Sequence, residues 1–192
     1  PSRAQDGLDK AKPEEKTQPA AEPKKPAPKK KAAAKPSGEA ISLKGNVLAL
    51  TESGHHFDFP ALAYDGATGS SWVVFVDHDQ KGDTVVLAKE SDDGKRLEAG
   101  ARVSDPGIVH QPTLAVAPRG KVWVFWGQVG EDDVVHLLGR SVEGKKLGDI
   151  VTLAKNAGSD TFADAGVDSS GRVWVTWQSL RKGQADVFAK VL

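Results

Sequence analysis

Residues 77–83 read DHDQKGD, a run in which oxygen-bearing side chains alternate and a glycine supplies the turn. A calcium loop uses such an order, because a hard cation gathers carboxylate and carbonyl oxygens around itself. Two positions break the pattern. Lys81 stands where a ligand is needed, and Ala88 stands where a bidentate glutamate would close an EF-hand loop. The matching loops further on, GQVGEDD and SLRKGQAD, do not keep the alternation. The segment therefore reads as a solvated hairpin turn, and no metal site is expected.

Histidines offer a second possibility. His55 and His56 are adjacent, and His110 aligns with Asp58 just before a strand. Neighbouring side chains on an extended chain point to opposite sides, so the His55–His56 pair is not a ready chelate. No Ser/His/Asp order, glycine-rich phosphate loop or paired carboxylate motif is present. The chain has no cysteine, which excludes disulfides and thiolate metal sites. No catalytic residue and no cofactor is expected.

The elements that would position these side chains come from a repeat. Trp72, Trp123 and Trp174 are spaced 51 residues apart, and Gly69, Gly120 and Gly171 each precede one of them by three residues. Around them the copies agree: PALAYDGATGSSWVVFV, PTLAVAPRGKVWVFW and ADAGVDSSGRVWVTW. The glycines suit tight hairpin turns that need a positive φ. A third strand follows in DTVVLAKES, DVVHLLGRS and DVFAKVL, and a fourth in GKRLEAGARVS and GKKLGDIVTLA. Four short strands in a period of about 50 residues are the pattern of a β-propeller blade. The fold class expected is all-β, a propeller of four-stranded antiparallel blades with about three blades in this chain. A blade is packed on both faces. That is why Trp174 and Trp177, three apart and so on opposite faces, suit a middle strand. All five tryptophans are expected in the core.

The third copy has three strands, while AISLKGNVLALT, residues 40–51, matches a fourth strand and precedes the first copy. Residues 39–192 are thus expected to form the blades, with residues 40–51 completing the blade of residues 161–192. That pairing requires self-association into a closed ring or further blades of a longer chain. Loops between blades and loops between second and third strands open on one face. That rim holds His56, Asp58, Asp77, His78, Asp79, His110, Gln128, Thr161 and Gln178, the candidate binding residues.

Residues 1–38 are a different material. They contain seven of the eleven prolines, no aromatic residue, and ten Lys or Arg against five Asp or Glu. The rest of the chain carries 16 basic and 21 acidic groups, so the net zero is a cancellation. Such a Pro/Lys/Ala stretch cannot bury enough apolar surface to offset its chain entropy, and a disordered linker is expected. No aromatic residue interleaves the lysines, so no nucleic-acid partner is expected. The stretch is similar to spacers that follow the membrane anchor of bacterial envelope proteins. This implies an extracytoplasmic location, periplasmic, cell-surface or secreted, with a tether upstream of Pro1.

The phrase FDFPALAYD resembles the opening motif of sialidases, in which an aromatic, an arginine, an aliphatic and a proline precede Ala-Leu-Ala. Residues 40–192 resemble the sialidase-like, BNR-type repeat propellers, whose repeats run Pro-x-Leu-Ala-Val, a turn, then Val-Trp-Val-x-Trp. The resemblance implies the fold. Its chemistry does not carry over. The arginine that would clamp a sugar carboxylate is Asp58 here, a reversal of charge. The only tyrosine, Tyr64, has no glutamate near it in sequence to activate it. The family's Ser-x-Asp-x-Gly-x-x-Trp box has Ser169 and Pro118 at its acidic position. The function expected is a non-catalytic extracytoplasmic binding or scaffold module. The alternative is a glycan-directed protein, either a lectin-like binder or a degenerate glycosidase.

Overall fold

A computed structural model describes residues 49–51, 54–154 and 158–192, all within the compact unit Gly45–Leu192. The tail expected over residues 1–38 lies outside the described residues, as does most of the strand expected over 40–51. Its last residues, Ala49 to Thr51, are exposed and outside any strand.

Among the described residues twelve strands form three antiparallel sheets, one per repeat. The first holds β1 (His56–Asp65), β2 (Ser70–Asp79), β3 (Gly82–Lys89) and β4 (Ala101–Arg102) in that order. The second holds β5 (Val109–Ala117), β6 (Lys121–Val129) and β7 (Val135–Glu143), with β8 (Lys146–Leu147) and β9 (Val151–Thr152) both paired to β7. The third holds β10 (Asp160–Val167), β11 (Val173–Arg181) and β12 (Gln184–Val191). The turns before the tryptophans use Gly69, Gly120 and Gly171 at φ of 71°, 76° and 80°, a region that costs a Cβ-bearing residue energy. The long fourth strands expected from the sequence are reduced to two-residue pieces. In the first repeat two isolated bridges add to them, joining Glu90 to Leu97 and Asp83 to Gly107.

The core lies between the sheets. Val74, Val76, Val85 and Leu87 of the first sheet meet Val122, Val124 and Trp126 of the second. Phe125, Leu137 and Leu153 of the second meet Val173, Val175 and Trp177 of the third. Trp126 and Phe125, adjacent on β6, are fully buried on opposite sides of one sheet. Two-sided burial is why β2 and β6 read as runs of apolar residues rather than as an alternation. In β11 the alternation is strict: Val173, Val175 and Trp177 are buried, whereas Trp174, Thr176, Gln178 and Leu180 are exposed. Among the described residues the third sheet thus has a neighbouring sheet on one face only.

The tryptophans follow this placement. Trp126 and Trp177 are core residues, Trp72 and Trp123 are partly buried, and Trp174 is 41% exposed. The expectation that all five are core fails at Trp174, because no described sheet follows the third. The outward face of the first sheet does not share this exposure. There Val73, Phe75, Val86 and Ala88 form a small buried cluster with Phe57 and Leu97 packed against it.

Truncating Trp126 to alanine should cost roughly 3–5 kcal/mol, as for a large buried aromatic. Trp174→Ala should cost no more than about 1 kcal/mol, because it removes an exposed ring and one exposed hydrogen bond. Urea unfolding of the two variants measures the difference.

Candidate functional site

In each sheet the first strand carries one bulge at the same place. The register slips between Asp58 and Ala61, between His110 and Thr113, and between Thr161 and Asp164. The residue at the slip is left-handed in all three: Phe59 at φ 48°, Gln111 at 43° and Phe162 at 53°. A bulky side chain in that region costs about 1–3 kcal/mol and persists only where the surroundings enforce it. The three bulges line one hollow of about 330 Å³, together with Pro60, Pro112, Thr113 and Asp164. Phe59 is 40% exposed there and Phe162 is 62% exposed. The Phe162 amide donates to the Gln111 Oε1 at 3.2 Å, and the Thr113 hydroxyl donates to Asp164 Oδ1 at 3.4 Å. These bonds join the second and third sheets across the hollow. The site therefore presents two phenyl rings, an amide and a carboxylate on fixed backbone.

Sequence reasoning named the residues just before the slip, Asp58, His110 and Thr161, and missed Phe59, Gln111 and Phe162. A residue preceding proline is biased toward extended backbone, so Phe59 and Gln111 carry no sign of a left-handed turn. Their equivalence across the three repeats was the available signal.

The candidate residues of the first repeat come together. His78 is held by carboxylates on both ring nitrogens: Nδ1 lies 2.6 Å from Asp83 and Nε2 lies 3.1 Å from Asp58. Asp77 accepts from Arg102 at 2.7 Å and pairs with His55 Nδ1 at 2.9 Å, while Asp79 lies 3.4 Å from Arg102. The acidic side chains of residues 77–83 are thus turned to cationic partners, and among the described residues no cluster of three suited to a metal ion is found. His56, His78 and Asp79 border an open hollow of about 620 Å³ with His55, Gln80 and Lys81. The other candidates do not join this group. His110 and Thr161 border a small crevice beside Gln111 and Phe162. Gln128 accepts from the indole of Trp126 at 3.0 Å, a structural role. Gln178 lies on the exposed face of β11.

The ion pairs of His78 raise its pKa above the ordinary 6.5. The hydrogen bond to Asp83 contributes most, burial opposes it, and Asp58 adds to the rise. Asp58 on β1 and Asp83 on β3 face the ring, with Asp77, Asp79, His55 and Arg102 in the adjoining network. A raised folded-state value means that the stabilisation is complete below 6.5 and is lost as pH rises through the folded value. The thermal midpoint should therefore fall as pH is raised above 6.5, and His78→Asn should flatten that part of the profile. Circular dichroism melts over a pH series check this.

No family model and no curated protein matches this chain. Solved structures do. The Hadza microbial sialidase is similar at TM-score 0.55 and 13% identity over 71% of this chain and 35% of that one. A protein of unknown function from Dyadobacter fermentans is similar at TM-score 0.56 and 15% identity, covering 73% of this chain and 39% of that one. The endo-arabinase from Bacteroides thetaiotaomicron is similar at TM-score 0.54 and 15% identity, covering 75% of this chain and 58% of that one. The chain therefore spans between 35% and 58% of the length of these structures. The likeness is one of fold, and it agrees with the motif resemblance: this chain is similar to the sialidase-like propellers in its fold.

Proposed function

We propose that the three sheets are successive blades of a β-propeller and that the chain is a non-catalytic binding module acting outside the cytoplasm. The ligand is seated where the three bulges meet. One observation carries this reading: three repeats hold the same strained backbone conformation around a single hollow. Strain repeated in this way needs a common reason, and pre-organisation of a binding surface is one. The replacement of the sialidase-type arginine by Asp58, bound to His78, supports recognition without sialidase chemistry. The composition of residues 1–38 supports a spacer that holds the module away from an envelope anchor.

The lining favours a glycan as ligand. A sugar ring presents a C–H face that packs on an aromatic ring and a hydroxyl edge that bonds amides and carboxylates. Phe59 and Phe162 offer the first surface, and Gln111 and Asp164 the second. Two of the similar folds are named a sialidase and an endo-arabinase, which supports this ligand class. A neutral sugar suits the hollow better than an anionic one, because the Asp164 carboxylate in its lining repels negative charge.

Asparagine tolerates left-handed backbone, so Phe59→Asn and Phe162→Asn remove the rings and keep the bulges. On an array of neutral glycans the chain should bind a subset. Each variant should weaken that binding at least about tenfold, with an unchanged melting profile. Equal binding by wild type and both variants would refute the site. Release of sugar from the bound glycans would refute the non-catalytic reading.

A further inference from the structure

We propose that His78 is a proton-operated latch on the first bulge: its imidazolium holds Asp58, and with it the Phe59 wall of the hollow, and its neutral form releases both. The consequence for ligand binding rests on the reading of that hollow as the binding site; the latch itself does not.

The three bulges are not held alike. Those of the second and third sheets are tied to each other, by the Phe162 amide on Gln111 and the Thr113 hydroxyl on Asp164. Among the described residues no such bond joins the first bulge to another sheet. Its tie is Asp58, the residue beside the left-handed Phe59. One oxygen of that carboxylate, Oδ2, accepts from His78 Nε2 at 3.1 Å. The other, Oδ1, is buried and accepts no hydrogen bond among the described residues. A carboxylate oxygen kept from water without a donor costs free energy, which the bond to His78 has to offset.

The other end of the latch is fixed. Asp83 accepts from His78 Nδ1 at 2.6 Å. Its backbone is paired with His78 in the ladder between β2 and β3, and it exchanges two further bonds with Gly107, at 2.9 and 3.0 Å. A protonated imidazole donates from both nitrogens and so serves both carboxylates. A neutral one has a single N–H, and its other nitrogen turns a lone pair toward the remaining carboxylate. The shorter bond, to the clamped Asp83, keeps the proton. Asp58 then faces a lone pair at one oxygen and has no donor at the other. It leaves, and the strained Phe59 backbone loses the side chain that braced it.

The surrounding charges do not replace the proton. On β1, His56 stands opposite His78 in register. On β2 itself, Asp77 and Asp79 are bound to Arg102 of β4, which is charged at every working pH. His55 adds to Asp77, Lys81 stands in the turn after β2, and His110 of β5 borders a separate crevice. Among the described residues His78 is the one cation paired with Asp58 or Asp83. Its raised value keeps the latch closed below 6.5 and opens it as pH rises through the folded value.

Nuclear magnetic resonance of the isotope-labelled full chain tests the latch with no ligand. The Phe59 amide should titrate with the same midpoint as the His78 ring, and the Phe162 amide should not follow it. Asp58→Asn or Asp83→Asn supplies an amide that donates to whichever ring nitrogen has lost its proton. In either variant the tie should persist, and Phe59 should no longer follow pH. On the neutral-glycan array, wild-type binding should be at least about threefold weaker at about pH 9 than at about pH 5.5. Asp83→Asn should bind equally at both. A Phe59 amide indifferent to His78, or one that still titrates in Asp83→Asn, would overturn the latch. Array binding that is present but independent of pH would overturn its part in recognition. No array binding at any pH would count against the glycan reading alone, and the amide titration still decides the latch.

Discussion

The structure depends on sheets that must be buried on both faces. A strand between two neighbours cannot alternate apolar and polar, and β6 shows the consequence: Val124 and Trp126 face the first sheet, and Trp123 and Phe125 face the third. Large aromatics in such a strand bring polar atoms into the core, and each must be satisfied there. The Trp126 indole donates to Gln128 and the Trp177 indole to Asp160. Arg140 performs a similar service across a seam, donating to the Val103 carbonyl of one repeat and the Gly148 carbonyl of its own. These bonds turn an apolar stack into one with a fixed register.

Much of this was legible in the residues. The spacing of Trp72, Trp123 and Trp174 places the middle strands, and the glycines three residues earlier place the hairpins. The separation of Trp174 from Trp177 gives the two faces. The outer strands were less legible. Segments such as GKRLEAGARVS alternate well enough to pass for a strand, but the regular pairing is confined to Ala101–Arg102, with Leu97 in an isolated bridge and the Glu98 and Val103 amides bonded singly to β3. Hydrophobic pattern reports which side chains are buried and not how many amides find a ladder partner. Exposure of the third sheet was not legible in its strand either, since VWVTW around Trp174 closely matches VWVFW around Trp123, and among the described residues no sheet covers Trp174.

The candidate site divides along similar lines. Polar residues with chemical potential drew attention to the rim, and in the first repeat five of them do share a network or its bordering hollow. Their carboxylates are paired to His55, His78 and Arg102, which makes the rim an electrostatic brace between β1, β2, β3 and β4. The feature common to all repeats is instead a backbone one, and two of its three residues are phenylalanines. A left-handed bulge is enforced by the strand on one side and the neighbouring sheet on the other. Neither constraint is local in sequence.

Position in the array also explains where the chain has placed one unusual acid. Six residues before each repeated tryptophan stand Gly66, Ala117 and Asp168. Trp72 and Trp123 are partly covered by a following sheet and have no carboxylate at that place. Trp174, the exposed member, has one. Asp168 accepts from the Trp174 indole, from the Arg172 guanidinium, and from the amides of Arg172 and Ser170. The indole and backbone bonds are the foremost causes that hold its carboxyl far below the usual range. A depressed value means that these bonds are complete above the ordinary carboxylate range and are lost only in strong acid. The ring is therefore fixed by hydrogen bonds where its counterparts are fixed by packing. The bonds of Asp168 thus do for the exposed Trp174 what the cover of a following sheet does for Trp72 and Trp123.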